Sequence, residues 1–133
     1  MCEVPHDIQM EIDRAVSVAT PDEVIALADS CRAVFVRRLS DPIAAVLSER
    51  VALRVIMQDG SPTISDRGIV YLARLPQLEW LDLEWSTQLT DAALESLVGI
   101  SSLRYLDVDF CSGLSQARLD WFRACRPDVR LET

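Results

Sequence analysis

Apolar positions between residues 78 and 114 fall into one pattern written twice. Leu78-x-x-Leu81-x-Leu83 is answered by Leu103-x-x-Leu106-x-Val108, and Leu89-Thr90-Asp91 by Leu114-Ser115-Gln116, each pair 25 residues apart. The same interval counted toward the N-terminus lands on Ile64-Ser65-Asp66 and then on Leu39-Ser40-Asp41. Leu47, Leu72, Leu97 and Phe122 share another column, and Leu131 falls under Leu106. Leu53 and Ile56 fall under Leu78 and Leu81, but Gln58 then stands under Leu83, so this copy is either degenerate or slipped by one residue. A fixed period of this length is the mark of stacked repeats, in which each unit buries its apolar side only against its neighbours.

Leu81-x-Leu83 and Leu106-x-Val108 alternate apolar and polar, the period of a half-buried strand. Strands are predicted at 33–36, 51–57, 79–84, 104–109 and 129–132. The Ser/Thr-Asp pairs before Gly68–Leu72 and Ala92–Leu97 offer an oxygen to cap a helix start, and Asp41-Pro42 begins a helix that ends near Arg50. Such helices are too short to stand alone in water and depend on packing. Residues 58–63 are the most turn-rich stretch and read as a loop on one rim. Ahead of the repeats, Ile8, Ile12 and Val16 mark an amphipathic helix over 5–19. Thr20-x-x-Glu23, with Pro21 at the first helical position, is a capping box that opens a second helix to about Cys31. These two helices are expected to cap the open N-terminal end of the array. The opposite edge, past the last strand, is left for a partner or a second copy to cover.

The register resembles the leucine-rich repeat family, in its cysteine-containing form L-x-x-L-x-L-x-x-C-x-x-[IL]-[ST]-D. Residues 103–116 are the nearest match, with Cys111 in the cysteine column; Ser86 and Ser61 hold that column in the preceding repeats, and Gln116 replaces the Asp. The resemblance covers residues 39–133, about four repeats. It implies one α/β domain: a short solenoid with a parallel β-sheet on its concave face and helices on its convex face, behind the N-terminal helical cap. The pattern from Val4-Pro5-x-Asp7-Ile8 to Pro21-x-x-Val24-x-x-Leu27 also faintly resembles an F-box, which implies a segment that docks an adaptor onto a larger machine.

Net charge is −8, and all 13 basic residues are arginine. That balance argues against nucleic-acid binding, which needs a basic footprint, and suits a basic protein partner. Four scattered cysteines without C-x-x-C spacing, no apolar run near 18 residues and no leader-like start point to a cytoplasmic chain with free thiols and no membrane span. Parts for catalysis are missing: His6 is the only histidine, and Cys2 and His6 have no second ligand pair to complete a metal site. No phosphate-binding glycine loop or nucleophile motif is present. Cys111 reads as a small buried hydrophobe. Neither enzyme activity nor a cofactor is expected.

Recognition is better supplied. In a parallel sheet of constant register, equivalent residues lie side by side at about 4.8 Å. With Leu81, Leu83, Leu106 and Val108 inward, the alternates project from the concave face in columns: Trp80, Tyr105, Arg130; Asp82, Asp107, Glu132; Asp59, Glu84, Asp109; and, at the strand ends, Trp85 and Phe110. Stacked carboxylates repel one another, so folding alone gives no reason for them. Aromatic anchors beside an acidic strip fit a basic protein partner. A solvated face on an acidic protein is the plainer alternative. Within the recognition reading, a small bacterial immunity or inhibitor protein competes with a substrate adaptor docked through the N-terminal helices.

Overall fold

Short apolar runs become strands and the capped segments between them become helices, in strict alternation. The structure, a computed structural model, describes residues 3–133. In chain order the elements are α1 (His6–Asp13), β1 (Val16–Val18), α2 (Pro21–Ile25), β2 (Ala33–Arg37), α3 (Asp41–Leu47), β3 (Val55–Asp59), α4 (Asp66–Leu72), β4 (Trp80–Asp82), α5 (Asp91–Leu97), β5 (Tyr105–Asp107), α6 (Gln116–Cys125) and β6 (Arg130–Glu132). The strands form one parallel sheet in sequential order from β1 to β6. No helix of the described residues is long and apolar enough to cross a membrane.

The pairing follows the sequence period. Trp80 lies opposite Tyr105, and Tyr105 opposite Arg130. Leu81 lies opposite Leu106 and Ile56 opposite Leu81, so the third copy is degenerate at Gln58, not slipped. On one face of the sheet, Val34, Ile56, Leu81, Leu83, Leu106 and Val108 join Leu47, Leu72, Leu97 and Phe122 from the helices in a continuous core. Helices alternating with the parallel strands bury that face from β2 to β5, while Leu131 of β6 is only partly buried.

A hydrogen-bonded ladder ties successive helix starts together. Ser40, Thr90 and Ser115 each accept an N–H of their own helix on the side-chain oxygen. The aspartate that follows the cap reaches onward to the next cap. Asp41 accepts the Ser65 N–H at 2.8 Å, Asp66 the Thr90 N–H at 2.8 Å and Asp91 the Ser115 N–H at 2.7 Å, and each also accepts the cap's hydroxyl. Gln116 breaks the Ser/Thr-Asp pattern where the described residues hold no further cap to receive it, and bonds Asp120 instead. Asp66→Ala removes two charge-assisted bonds and should lower stability by about 2 kcal/mol, read from the urea midpoint. Asp66→Asn keeps an acceptor and should lose about half as much.

The N-terminal segment departs from expectation. The predicted helix over 5–19 stops at Asp13, and Val16–Val18 forms an edge strand paired to Val34–Val36. Residues 33–36 are therefore the second strand, because the β-branched Val16-Ser17-Val18 alternation is better satisfied beside β2. The capping box forms, with Thr20 accepting from the Glu23 N–H, but α2 ends at Ile25, short of Cys31. The strand predicted at 51–57 begins at Val55 and reaches Asp59.

The larger correction concerns α1. It does not cap the array's end; it lies across the second face of the sheet. Ile8, with Val4, Ile12 and Ala15 around it, packs on Ala33, Val55, Trp80 and Tyr105. Charge fixes its position. Arg54 pairs with Asp7 at 3.0 Å, Glu11 at 3.4 Å and Glu79, while Arg104 pairs with Glu79 at 3.1 Å and Asp7 at 3.5 Å. The remainder of that face, toward the C-terminal ends of the strands, stays open.

Candidate functional site

At the C-terminal ends of β4 and β5 the chain reads Asp82-Leu83-Glu84-Trp85 and Asp107-Val108-Asp109-Phe110. The aspartate of each makes the turn: Asp82 Oδ1 accepts the Glu84 N–H at 3.1 Å, and Asp107 Oδ1 the Asp109 N–H at 2.9 Å. Such local acceptors compete with the strand ladder and end it. The next residue turns left-handed, with φ of 65° at Trp85 and 61° at Phe110. Arg38 and Gly60, which follow β2 and β3, do the same at 56° and 80°. A left-handed conformation costs a non-glycine residue on the order of 1 kcal/mol. Trp85 and Phe110 adopt it while 53% and 60% exposed. Their rings stack with centroids 4.3 Å apart and planes 14° from parallel.

Beside this pair the carboxylates crowd together. Asp82, Glu84 and Asp107 each place an oxygen within 4.8 Å of the others. At that distance each ionised pair repels by roughly 1 to 3 kcal/mol, depending on how much water screens it. Burial pushes the Asp82 carboxyl up to about 7; the Glu84 N–H opposes the shift, and Asp107, Glu84 and Asp109 add to it. Asp107 is pushed up to about 6 by burial and by the charges of Asp109 and Glu84. The turns need an acceptor at these two positions and not a charge; asparagine would serve both. The three carboxylates also form the set, among the described residues, whose spacing could hold a hard, oxygen-liganded cation such as calcium.

The expected site residues divide into two groups. Glu84, Trp85, Asp107, Asp109, Phe110 and Glu132 lie at the open part of the face, with Asp59 exposed at its β3 end and Asp82 beneath them, 9% exposed. Trp80 and Tyr105 do not belong with them. They stack on each other at 3.8 Å, 6% and 8% exposed, under α1. The physical reason is that their column is apolar from Ala33 to Tyr105 and needs a cover, which the apolar stripe of α1 supplies. Arg130, at the end of that column, is exposed and pairs with Glu132 at 3.4 Å. Phe35 and Met57, not foreseen as site residues, continue the Asp82–Asp107 row toward β1. Phe35 stands 22 residues before Met57 and so escapes a 25-residue comparison, whereas Met57 falls 25 before Asp82 as an apolar residue where the later copies carry aspartate.

Behind the site, three polar positions share the seam where the strands end. Gln58 is buried, and its Nε2 donates to the Glu84 carbonyl at 2.6 Å. Cys111 donates its thiol to the Leu83 carbonyl at 3.2 Å, and burial pushes it up to about 11, so it stays protonated at neutral pH. Ser86, in the same column, is fully buried with its hydroxyl unpartnered. Ser86→Cys should raise stability by about 1 kcal/mol, seen as a few degrees in the melting temperature, since an unpaired buried hydroxyl is replaced by a less polar group. His6 sits at the start of α1, and Cys2, its suggested partner, lies outside the described residues. None of Cys31, Cys111 and Cys125 is in a disulfide.

Set against known proteins, the chain matches no protein-family model and resembles no curated sequence.

Proposed function

We propose that this chain is a non-enzymatic protein-recognition module, a short leucine-rich-repeat coil that grips a basic segment of a partner protein. The binding surface is the part of the concave face that α1 leaves open: Glu84, Asp107, Asp109 and Glu132 with the Trp85–Phe110 pair, continued by Phe35 and Met57. One observation carries the reading. Three carboxylates are held within 4.8 Å of one another at turns that require no charge, beside two large exposed rings in a strained backbone conformation. A cationic partner group would relieve the repulsion, and the rings would anchor it. In the version favoured by the chain's acidic balance, the module masks the basic surface of another protein, as a small immunity or inhibitor protein does. The adaptor version is less well supported, because α1 spends its apolar stripe on the sheet and has none left for a second machine.

Affinity capture from the native host tests this with two charge reversals. Glu84→Lys/Asp109→Lys should weaken retention of a single basic partner by about 100-fold or more, with the melting temperature within a few degrees of the parent. Glu95→Lys, on the exposed side of α5, should leave retention intact. Loss in Glu95→Lys with retention in the double variant would place binding on the helix side and refute the proposal.

A further inference from the structure

Val16 stands in the row of Val34, Ile56, Leu81 and Leu106. Those four are wholly buried, while Val16, on the edge strand, is 44% exposed. Beside it, at the N-terminal ends of β1 and β2, lies a cavity of about 470 Å³, a size that holds small ligands. The carboxylate cluster of β4 and β5 is at the opposite strand ends. Val16, Leu27, Ala28 and Ala33 give the cavity an aliphatic lining without a ring. Ser30 adds a hydroxyl, and the Cys31 thiol is spent on the Ala33 carbonyl at 3.5 Å.

The charged lining is Arg14, Arg32 and Glu11, two guanidiniums against one carboxylate in a chain whose net charge is −8. Glu11 is already committed elsewhere: Arg54 holds it at 3.4 Å, closer than Arg32 at 3.7 Å. Arg14 is exposed and has no ion pair among the described residues. The next carboxylates along the chain, Asp13 and Asp29, are engaged by Gln9 at 2.8 Å and Arg50 at 3.4 Å. An occupant must bring an aliphatic body for Val16 and Leu27, an acceptor for the two guanidiniums, and one negative charge to match the sum of the lining. A carboxylate meets a guanidinium fork with both its oxygens. A dianion would overshoot the balance, and an ammonium would be repelled.

We infer that this cavity binds an aliphatic monocarboxylate, its hydrocarbon on Val16, Leu27 and Ala28 and its charge between Arg14 and Arg32. The inference goes beyond the recognition reading and does not rest on it.

The test is a titration of the whole chain, followed through the assigned backbone amides in NMR. The probes are hexanoate, hexanol, hexylammonium and hexyl phosphate. Hexanoate should move the amides of Ala28, Ser30 and Arg32 saturably, leave that of Trp121 still, and bind about fivefold or more tighter than hexanol. Hexylammonium should bind weakest, although the net charge of the chain favours it. Arg14→Gln should bring hexanoate down to the level of hexanol with the melting temperature unmoved, since Arg14 is not paired within the fold. Val16→Ser should weaken hexanoate and hexanol alike. Hexylammonium binding as well as hexanoate, hexyl phosphate binding tightest, indifference of hexanoate to Arg14→Gln, or no saturable shift at these amides would overturn the inference.

Discussion

Asp82→Asn should make the protein more stable by about 3 kcal/mol at pH 8 and by almost nothing at pH 4. The Asp82 carboxyl, ordinarily near 3.8, is pushed up to about 7 in the fold, first by burial and then by the charges of Asp107, Glu84 and Asp109. In the window between 3.8 and about 7 the folded chain holds a proton that the unfolded chain releases, so stability falls as pH rises through it. The loss accumulates at roughly 1.4 kcal/mol per pH unit across that window, less what water at the open rim screens, and is complete above it. Asparagine keeps the oxygen that accepts the Glu84 N–H and carries no charge at any pH. Asp107, pushed up to about 6, adds to the trend with the same sign. Asp91 and Asp128 act oppositely. The Ser115 N–H and hydroxyl hold Asp91 low, and the Arg126 guanidinium holds Asp128 low. Their contribution is present above 3.8 and is lost as pH falls below it. The unmodified chain should therefore be most stable near pH 5, and urea unfolding at pH 4, 6 and 8 reads both effects. A cationic partner would reverse the balance at Asp82 and Asp107, so binding near pH 6 should release protons, visible as buffer-dependent heats in calorimetry.

Trp80→Ala should cost about 4 kcal/mol, the ordinary loss for a buried large aromatic. Its ring stacks on Tyr105 and shares a buried cluster with Ile8 of α1, which is wholly buried. Hydrogen exchange should report the consequence locally, with the amides of α1 losing protection before those of β4 and β5. Trp85→Gly should behave differently. It gives up the stack on Phe110, worth about 1 kcal/mol, and relieves a left-handed backbone at a similar gain, leaving stability within about 1 kcal/mol of the parent. Two tryptophans five residues apart would thus separate a residue that the fold requires from one that it does not. Equal losses in both would mean that Trp85 is structural and that the open face has lost its anchor.

The parts of this fold that repeat are legible in the sequence. Ile56, Leu81, Leu106 and Leu131, each 25 residues after the last, place β3 to β6 in register, and Ser/Thr-Asp pairs place the helix starts, because both follow from local spacing. The onward reach of Asp41, Asp66 and Asp91 is not legible: a cap and a ladder rung look alike until the next repeat is set beside them. Placing α1 is harder, since its apolar stripe shows only that it must cover something. The clue lies in the column it covers: Ala33, Val55, Trp80 and Tyr105 are apolar at positions that would otherwise meet water. Repeating charge brings Asp82, Glu84, Asp107 and Asp109 to one end of the sheet, as their spacing requires. Spacing misleads at Trp80 and Tyr105, where exposure depends on an element outside the period. The left-handed positions at Arg38, Gly60, Trp85 and Phe110 belong to a third kind of feature, visible only in the structure.

Whether a partner occupies the open face can be read by photo-cross-linking from single positions. A benzophenone side chain placed at Phe110, on the open face, and at Val70, exposed on α4, should give contrasting results in the native host. If the open face of the sheet is the recognition surface, Phe110 should yield one discrete adduct. That adduct should join next to a basic segment of the partner and vanish in Glu84→Lys/Asp109→Lys. From Val70 there should be none. A discrete adduct from Val70 with none from Phe110 would contradict recognition through this face.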